Sequence, residues 1–106
     1  MQGSLHIEIA QRNGAAVLSV LGEVDLATAP ILDEQMSAVV ASDASTIIVD
    51  LDRVSFMDSS GLQVLLAHVF SDQNGSRIQI TRGSPQVVRL FTMSGMLEQL
   101  PFVASE

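Results

Sequence analysis

Between Phe56 and Leu66 the sequence reads FMDSSGLQVLL, with an aspartate, two serines and a glycine directly before an apolar run of helical spacing. Two kinds of chemistry fit that order. Asp58, Ser59 and Ser60 are all residue types that cap a helix, a side-chain oxygen accepting a free backbone N–H. A serine hydroxyl at such a start is also a place where added negative charge is tolerated, because free amides and the helix dipole face it. Gly61 is a poor helix former in a first turn, and its missing side chain would let another molecule approach the backbone. A phosphoryl group here would add roughly −1.5 to −2 units of charge. Asp58 is adjacent, and Glu23 and Asp25 follow a predicted strand that can end on the same rim. The added charge would then intensify an acidic surface and obstruct a docked partner more than it would refold the domain. Helix physics leaves cap and target both open.

Other chemistry is less well supplied. TIIVDLDRV (46–54) resembles the first motif of haloacid-dehalogenase-type phosphatases, in which Asp50 would be the nucleophile and Asp52 a general acid beside Mg2+. The chain has no Lys, and no adjacent acidic pair follows residue 58, so a strand ending in solvated acids is the better account. Gly-x-Ser-x-Gly is absent. His6 falls on the polar face of a strand, and His68 lies more than two turns along the helix from Ser60. Both read as exposed histidines, neither as a base nor as a zinc ligand. Arg82, Arg89 and Met93-Ser94-Gly95-Met96 form a minor second surface, with Met93 and Met96 read as core in preference. No catalytic residue, cofactor or metal is expected.

The elements that must position these residues follow from periodicity. LHIEIA (5–10) alternates as a half-buried strand, Asn13-Gly14 signals a hairpin, and AAVLSVLG (15–22) is the second strand. In TAPILDEQMSAVVA (28–41), Thr28 is the expected cap and Pro30 fits the first turn. Asp33 and Glu34 lie near the positive end of the dipole, and Leu32, Met36, Val39 and Val40 face the core. TIIVD (46–50) reads as a central strand buried on both faces, with 54–56 extending or bending it. Leu62, Leu65, Leu66, Val69 and Phe70 mark an amphipathic helix over 61–70. A strand at 77–81, a helix opening at Ser84-Pro85 and ending at Gly95, and a closing segment broken at Pro101 complete the chain. The order β-β-α-β-α-β-α predicts one α/β domain over residues 1–106, a mixed sheet covered by helices.

Composition sets outer bounds. Of 106 residues 47% are hydrophobic, with four Phe and no Trp or Tyr, so the core must be aliphatic. The formal charge is −7, all five basic residues are Arg, and nine of the twelve acids precede Ser59. That balance excludes nucleic acid and anionic membranes as expected partners and suits a basic protein. The absence of Cys excludes disulfides and thiol control. With no signal-peptide pattern and no spanning apolar run, the expected setting is soluble and cytoplasmic.

VSFMDSSGLQVLL resembles the signature of bacterial anti-sigma factor antagonists, the STAS-domain proteins. The likeness continues through GEVDLATAP (22–30), TIIVDLDRV (46–54) and VVRLFTMSGMLEQLPF (87–102), in the family's order and spacing. It implies a central sheet with helices on one side. It also implies a partner-switching role in transcription: the unphosphorylated protein binds an anti-sigma factor that is itself a serine kinase, and so frees a sigma factor. The kinase then phosphorylates the first serine, here Ser59, and a phosphatase restores binding. Glu23 and Asp25 carry over from the family's Gly-Glu-Leu-Asp segment, and Thr28, Asp58, Ser60, Gly61, Gln63 and Val64 complete the implied docking rim. The alternative is a STAS scaffold or sensor that is never phosphorylated and binds a nucleotide or small anion at the helix entrance.

Overall fold

Asn13 and Gly14 both take positive φ, 52° and 84°, the conformation of a type I′ turn, whose twist matches that of the strands it joins. The turn folds β1 (Leu5–Arg12) antiparallel onto β2 (Ala15–Val24) in the computed structural model, which describes residues 4–72 and 77–103. The chain continues through α1 (Ala29–Val40), β3 (Thr46–Met57), α2 (Ser59–Ser71), β4 (Ile78–Thr81), α3 (Pro85–Met93) and β5 (Phe102–Val103). Sheet order is β1-β2-β3-β4-β5, and every pair after the hairpin is parallel. Each crossover steps one strand in the same direction, so right-handed connections send all three helices to one face. The architecture is the mixed α/β sheet expected, with one strand more.

The covered face and the helices share an aliphatic core. Leu18 and Val20 of β2, Ile47, Val49 and Leu51 of β3, Leu32 and Met36 of α1, Leu65 of α2, and Val87 and Phe91 of α3 are all buried. Each such side chain contributes about 1.5–3 kcal/mol relative to exposure. β3 is not buried on both faces: Thr46, Ile48 and Asp50 are half-buried between the buried positions, because no helix covers their side. Nor does it stop at Asp50. Ser19 pairs with Asp50 but Leu21 with Arg53, and Gly22 pairs with Val54 but Glu23 with Phe56. An extra β3 residue at each shift resets the alternation, so burial passes from Leu51 to Val54 and then to Met57.

Other expectations are corrected by packing. Phe70, in the last turn of α2, and Met93, at the end of α3 and 81% exposed, both face solvent. His68 is not exposed: its side chain is 13% accessible, and Nε2 lies 2.7 Å from Asp33 Oδ1, linking α2 to α1. α1 begins at Ala29, so Asp33 and Glu34 fall beyond its first turn. β5 was hidden in the closing segment. It pairs with Ile80 and Thr81, and Phe102 packs 5.2 Å from the Phe91 ring under the Arg82 guanidinium.

Gly22 is dictated by an approach of backbone to backbone. Its φ is +105°, and a Cβ there would stand 2.2 Å from the Ser4 carbonyl oxygen, which accepts the Glu23 N–H at 2.9 Å. Gly22→Ala is expected to cost at least about 2 kcal/mol, read as a lower urea midpoint with an unchanged slope.

Candidate functional site

β2 and β3 end side by side, Val24 opposite Met57, and the two loops that follow build the site. Just after β3, the Asp58 N–H donates to the Val24 carbonyl at 3.0 Å. Asp58 then leaves the strand in an extended conformation, and its Oδ1 accepts the Ser60 N–H at 2.8 Å. Asp58 is therefore the N-cap of α2, and neither serine is needed for that purpose. Ser59 is the first residue of the helix and is exposed. Its hydroxyl makes no hydrogen bond with any described residue. Ser60 is half-buried.

The glycine that follows has an internal reason. Gly61 is buried, and a Cβ there would lie 2.7 Å from Val24 Cγ1 and 2.8 Å from Met57 Cγ. The first turn of α2 rests directly on the ends of β2 and β3. The missing side chain thus makes room for the protein's own core.

The β2–α1 loop is knitted by local hydrogen bonds. Asp25 Oδ1 accepts the N–H groups of Ala27 and Thr28, each at 3.0 Å. Thr28 Oγ1 accepts the Asp25 N–H at 2.9 Å and donates to the Glu23 carbonyl at 2.8 Å. Thr28 was expected to cap α1, but its side chain makes no cap bond, and at 7% exposure it is a foundation of the loop with little surface to offer a partner. The two loops bring half-buried Glu23, Asp25 and Asp58 to the same end of the sheet as Ser59. Gln63 is exposed on α2, whereas Val64 is half-buried against the core.

Three residues at this end escaped the sequence reading. Leu26, in the β2–α1 loop, is 79% exposed, and Phe56, paired with Glu23, is also exposed. Neither belongs to a periodic run, so only their apolar character in polar surroundings could have marked them. Gln86, on the first turn of α3, accepts the Met57 N–H on Oε1 at 2.9 Å and donates from Nε2 to the Met57 carbonyl at 3.0 Å. No spacing rule announces that pair.

The rival sites have structural employment. Asp50 Oδ1 accepts the Asp52 N–H at 2.9 Å where β3 changes register. Among the described residues no cluster of three or more His, Cys, Asp or Glu is placed to hold a metal. Arg89, Met93 and Ser94 line a groove of about 370 Å³ with Gln86 and Leu90. His68, already held by Asp33, does not serve either serine. Among the described residues no base is hydrogen-bonded to the Ser59 hydroxyl.

A mixed sheet of this order, with a helix entrance at its parallel rim, defines a class of small α/β domain, and comparison with known proteins makes the class specific. The chain belongs to the STAS domain family, whose family model matches residues 6–106. The anti-sigma-F factor antagonist RsfB of Mycobacterium tuberculosis is 39% identical over 84 residues, spanning 76% of this chain and 67% of that protein. A crystal structure of an anti-sigma factor antagonist from Mycobacterium paratuberculosis matches with a TM-score of 0.88 at 28% identity, covering 96% of this chain and 87% of that one. The anti-sigma factor antagonist SpoIIAA, solved in its unphosphorylated form, matches with a TM-score of 0.75 at 25% identity, covering 97% and 89%. Among the described residues, no helix is long and apolar enough to cross a membrane.

Two substitutions test the construction of the site. Gly61→Ala should lose about 1–3 kcal/mol, since Val24 and Met57 must move to admit the methyl group; thermal melting reads this directly. Asp58→Ala should lose about 1 kcal/mol, while Asp58→Asn, which keeps a capping oxygen, should lose clearly less. Equal losses in the two variants would show that the cap is not what Asp58 supplies.

Proposed function

We propose that this protein is a phosphorylation-controlled anti-sigma factor antagonist, with Ser59 as the phosphoacceptor. The observation that carries the reading is the exposed Ser59 hydroxyl, free of bonds to described residues, beside an acidic rim. It stands in a chain whose relatives are named for this activity. Unphosphorylated, the protein docks on an anti-sigma factor that is also a serine kinase, and a sigma factor is released. Glu23, Asp25, Asp58, Ser60 and Gln63 supply polar contacts, Leu26 and Phe56 add apolar area, and Thr28, Gly61 and Val64 hold the surface in shape. Exposed aromatic and aliphatic side chains ringed by charge are the usual composition of a docking patch.

The switch works by adding charge and bulk to a rim that is already acidic. Transfer of the γ-phosphoryl group to the Ser59 oxygen leaves ADP behind and puts roughly −1.5 to −2 units of charge on the rim. That group adds to the negative charge of Glu23, Asp25 and Asp58 at the point of contact, and like charges brought together across an interface cost several kcal/mol. The complex separates, and a serine phosphatase regenerates the binding form. All the chemistry belongs to the partners.

The test is a pull-down of the anti-sigma partner with and without ATP, followed by mass spectrometry of the released protein. Phosphate is expected on Ser59 alone. Ser59→Ala should bind and stay bound in ATP, and Ser59→Asp should bind at least about tenfold more weakly. Phosphate on Ser60, or full binding by Ser59→Asp, would defeat the proposal.

A further inference from the structure

Gln86 does something for the helix entrance that no strand does. β3 runs to Met57, but β4 accompanies it only as far as the Val49–Ile80 pair. Beyond that point the β4-side backbone of β3 has no strand partner. At its last residue the Met57 N–H and C=O both turn to this side, while the next N–H, that of Asp58, turns the other way to Val24. Met57 is fully buried, so water is not available to those two groups. A primary amide carries one carbonyl oxygen and one NH2, the two functions a neighbouring strand would present. Gln86 therefore behaves as a one-residue strand, delivered by α3 to the last rung of β3.

We propose that Gln86 is the positioning residue for Ser59, which rests on the reading of Ser59 as the phosphoacceptor. With Met57 held from α3 and Asp58 held from β2, the backbone immediately before Ser59 is fixed on both sides. Asp58 can then cap α2, and Gly61 can seat on Val24 and Met57. The position of the Ser59 Cα–Cβ bond is set by these contacts, and its hydroxyl makes no hydrogen bond with described residues. The requirement is chemical as well as steric: Glu in its place keeps an acceptor for the Met57 N–H but has no donor for its carbonyl, and Met keeps the length and offers neither.

Full-length Gln86→Met and Gln86→Glu are compared with the wild type by amide hydrogen exchange and by phosphorylation with the kinase recovered in the pull-down. In Gln86→Met the Met57 amide should exchange about tenfold faster or more, with Ile47 and Val49 of the same strand within about twofold of wild type. Phosphorylation should fall about tenfold, in kcat and not in KM, because the hydroxyl is misplaced while the docking surface is intact. Gln86→Glu should recover part of both losses. Met57 exchange that does not change, or rises together with the whole of β3, overturns the clamp. A loosened Met57 with unchanged kcat overturns the positioning role, and a rise in KM alone makes Gln86 a docking contact instead. Wild-type protein that the kinase leaves unmodified overturns the assignment of Ser59 and with it this role, a result distinct from any failure of the exchange measurement.

Discussion

β3 is longer than its neighbour on one side, and the structure is organised around that mismatch. Buried backbone groups must be paired, and both Leu51 and Met57 are fully buried on a stretch that β4 does not reach. Two side chains repair the ladder. The Thr81 hydroxyl accepts the Leu51 N–H at 2.8 Å, and the Gln86 amide satisfies Met57 at both of its groups. On the opposite side β2 stays with β3 to the end, absorbing two register shifts on the way. The overhang delivers Asp58 to the rim of the sheet and starts α2 there. A β3 that ended level with β4 would start α2 several residues earlier, away from the β2–α1 loop.

The rim combines rigid parts with one unengaged part. Asp25 and Thr28 stiffen their loop through four short hydrogen bonds that involve nothing outside residues 23–28. Asp58 spends one carboxylate oxygen on its own helix. The glycine beyond the serines is locked under the core. Between these hydrogen-bonded points Ser59 faces solvent. The excess of acid in the first 58 residues gives such a surface a defined sign before any modification.

Much of this was legible in the sequence, for physical reasons that also explain the failures. Asn13-Gly14 has one favoured geometry, and the runs at 28–41 and 61–70 repeat at helical spacing. β3 lost its second half to pattern reading because each register shift reverses which residues point inward. β5 was missed because two residues have no period. Met93 and Phe70 sit at helix ends, where an apolar stripe outlasts the surface it packs on, and His68 is mostly buried where α2 meets Asp33 of α1, a contact between helices that no spacing shows. At the site, the DSSG order pointed to a helix start that Asp58 caps, but the packing of Gly61 and Thr28 was hidden because their partners, Val24 with Met57 and Glu23, are contacts no spacing reveals. Gln86 was invisible for the same reason.

The hairpin that opens the fold also settles what happens at the margins of the sheet. β1 is a terminal strand of eight residues whose outer edge has no strand partner among the described residues, the kind of surface that recruits a further strand from another molecule. It carries exposed His6, Glu8 and Arg12 along its length, with Glu8 reaching the Arg53 guanidinium at 3.8 Å. The far margin among the described residues is β5 (Phe102–Val103), preceded by Pro101, which has no N–H to offer. Charge along β1 opposes the addition of a further strand at that border.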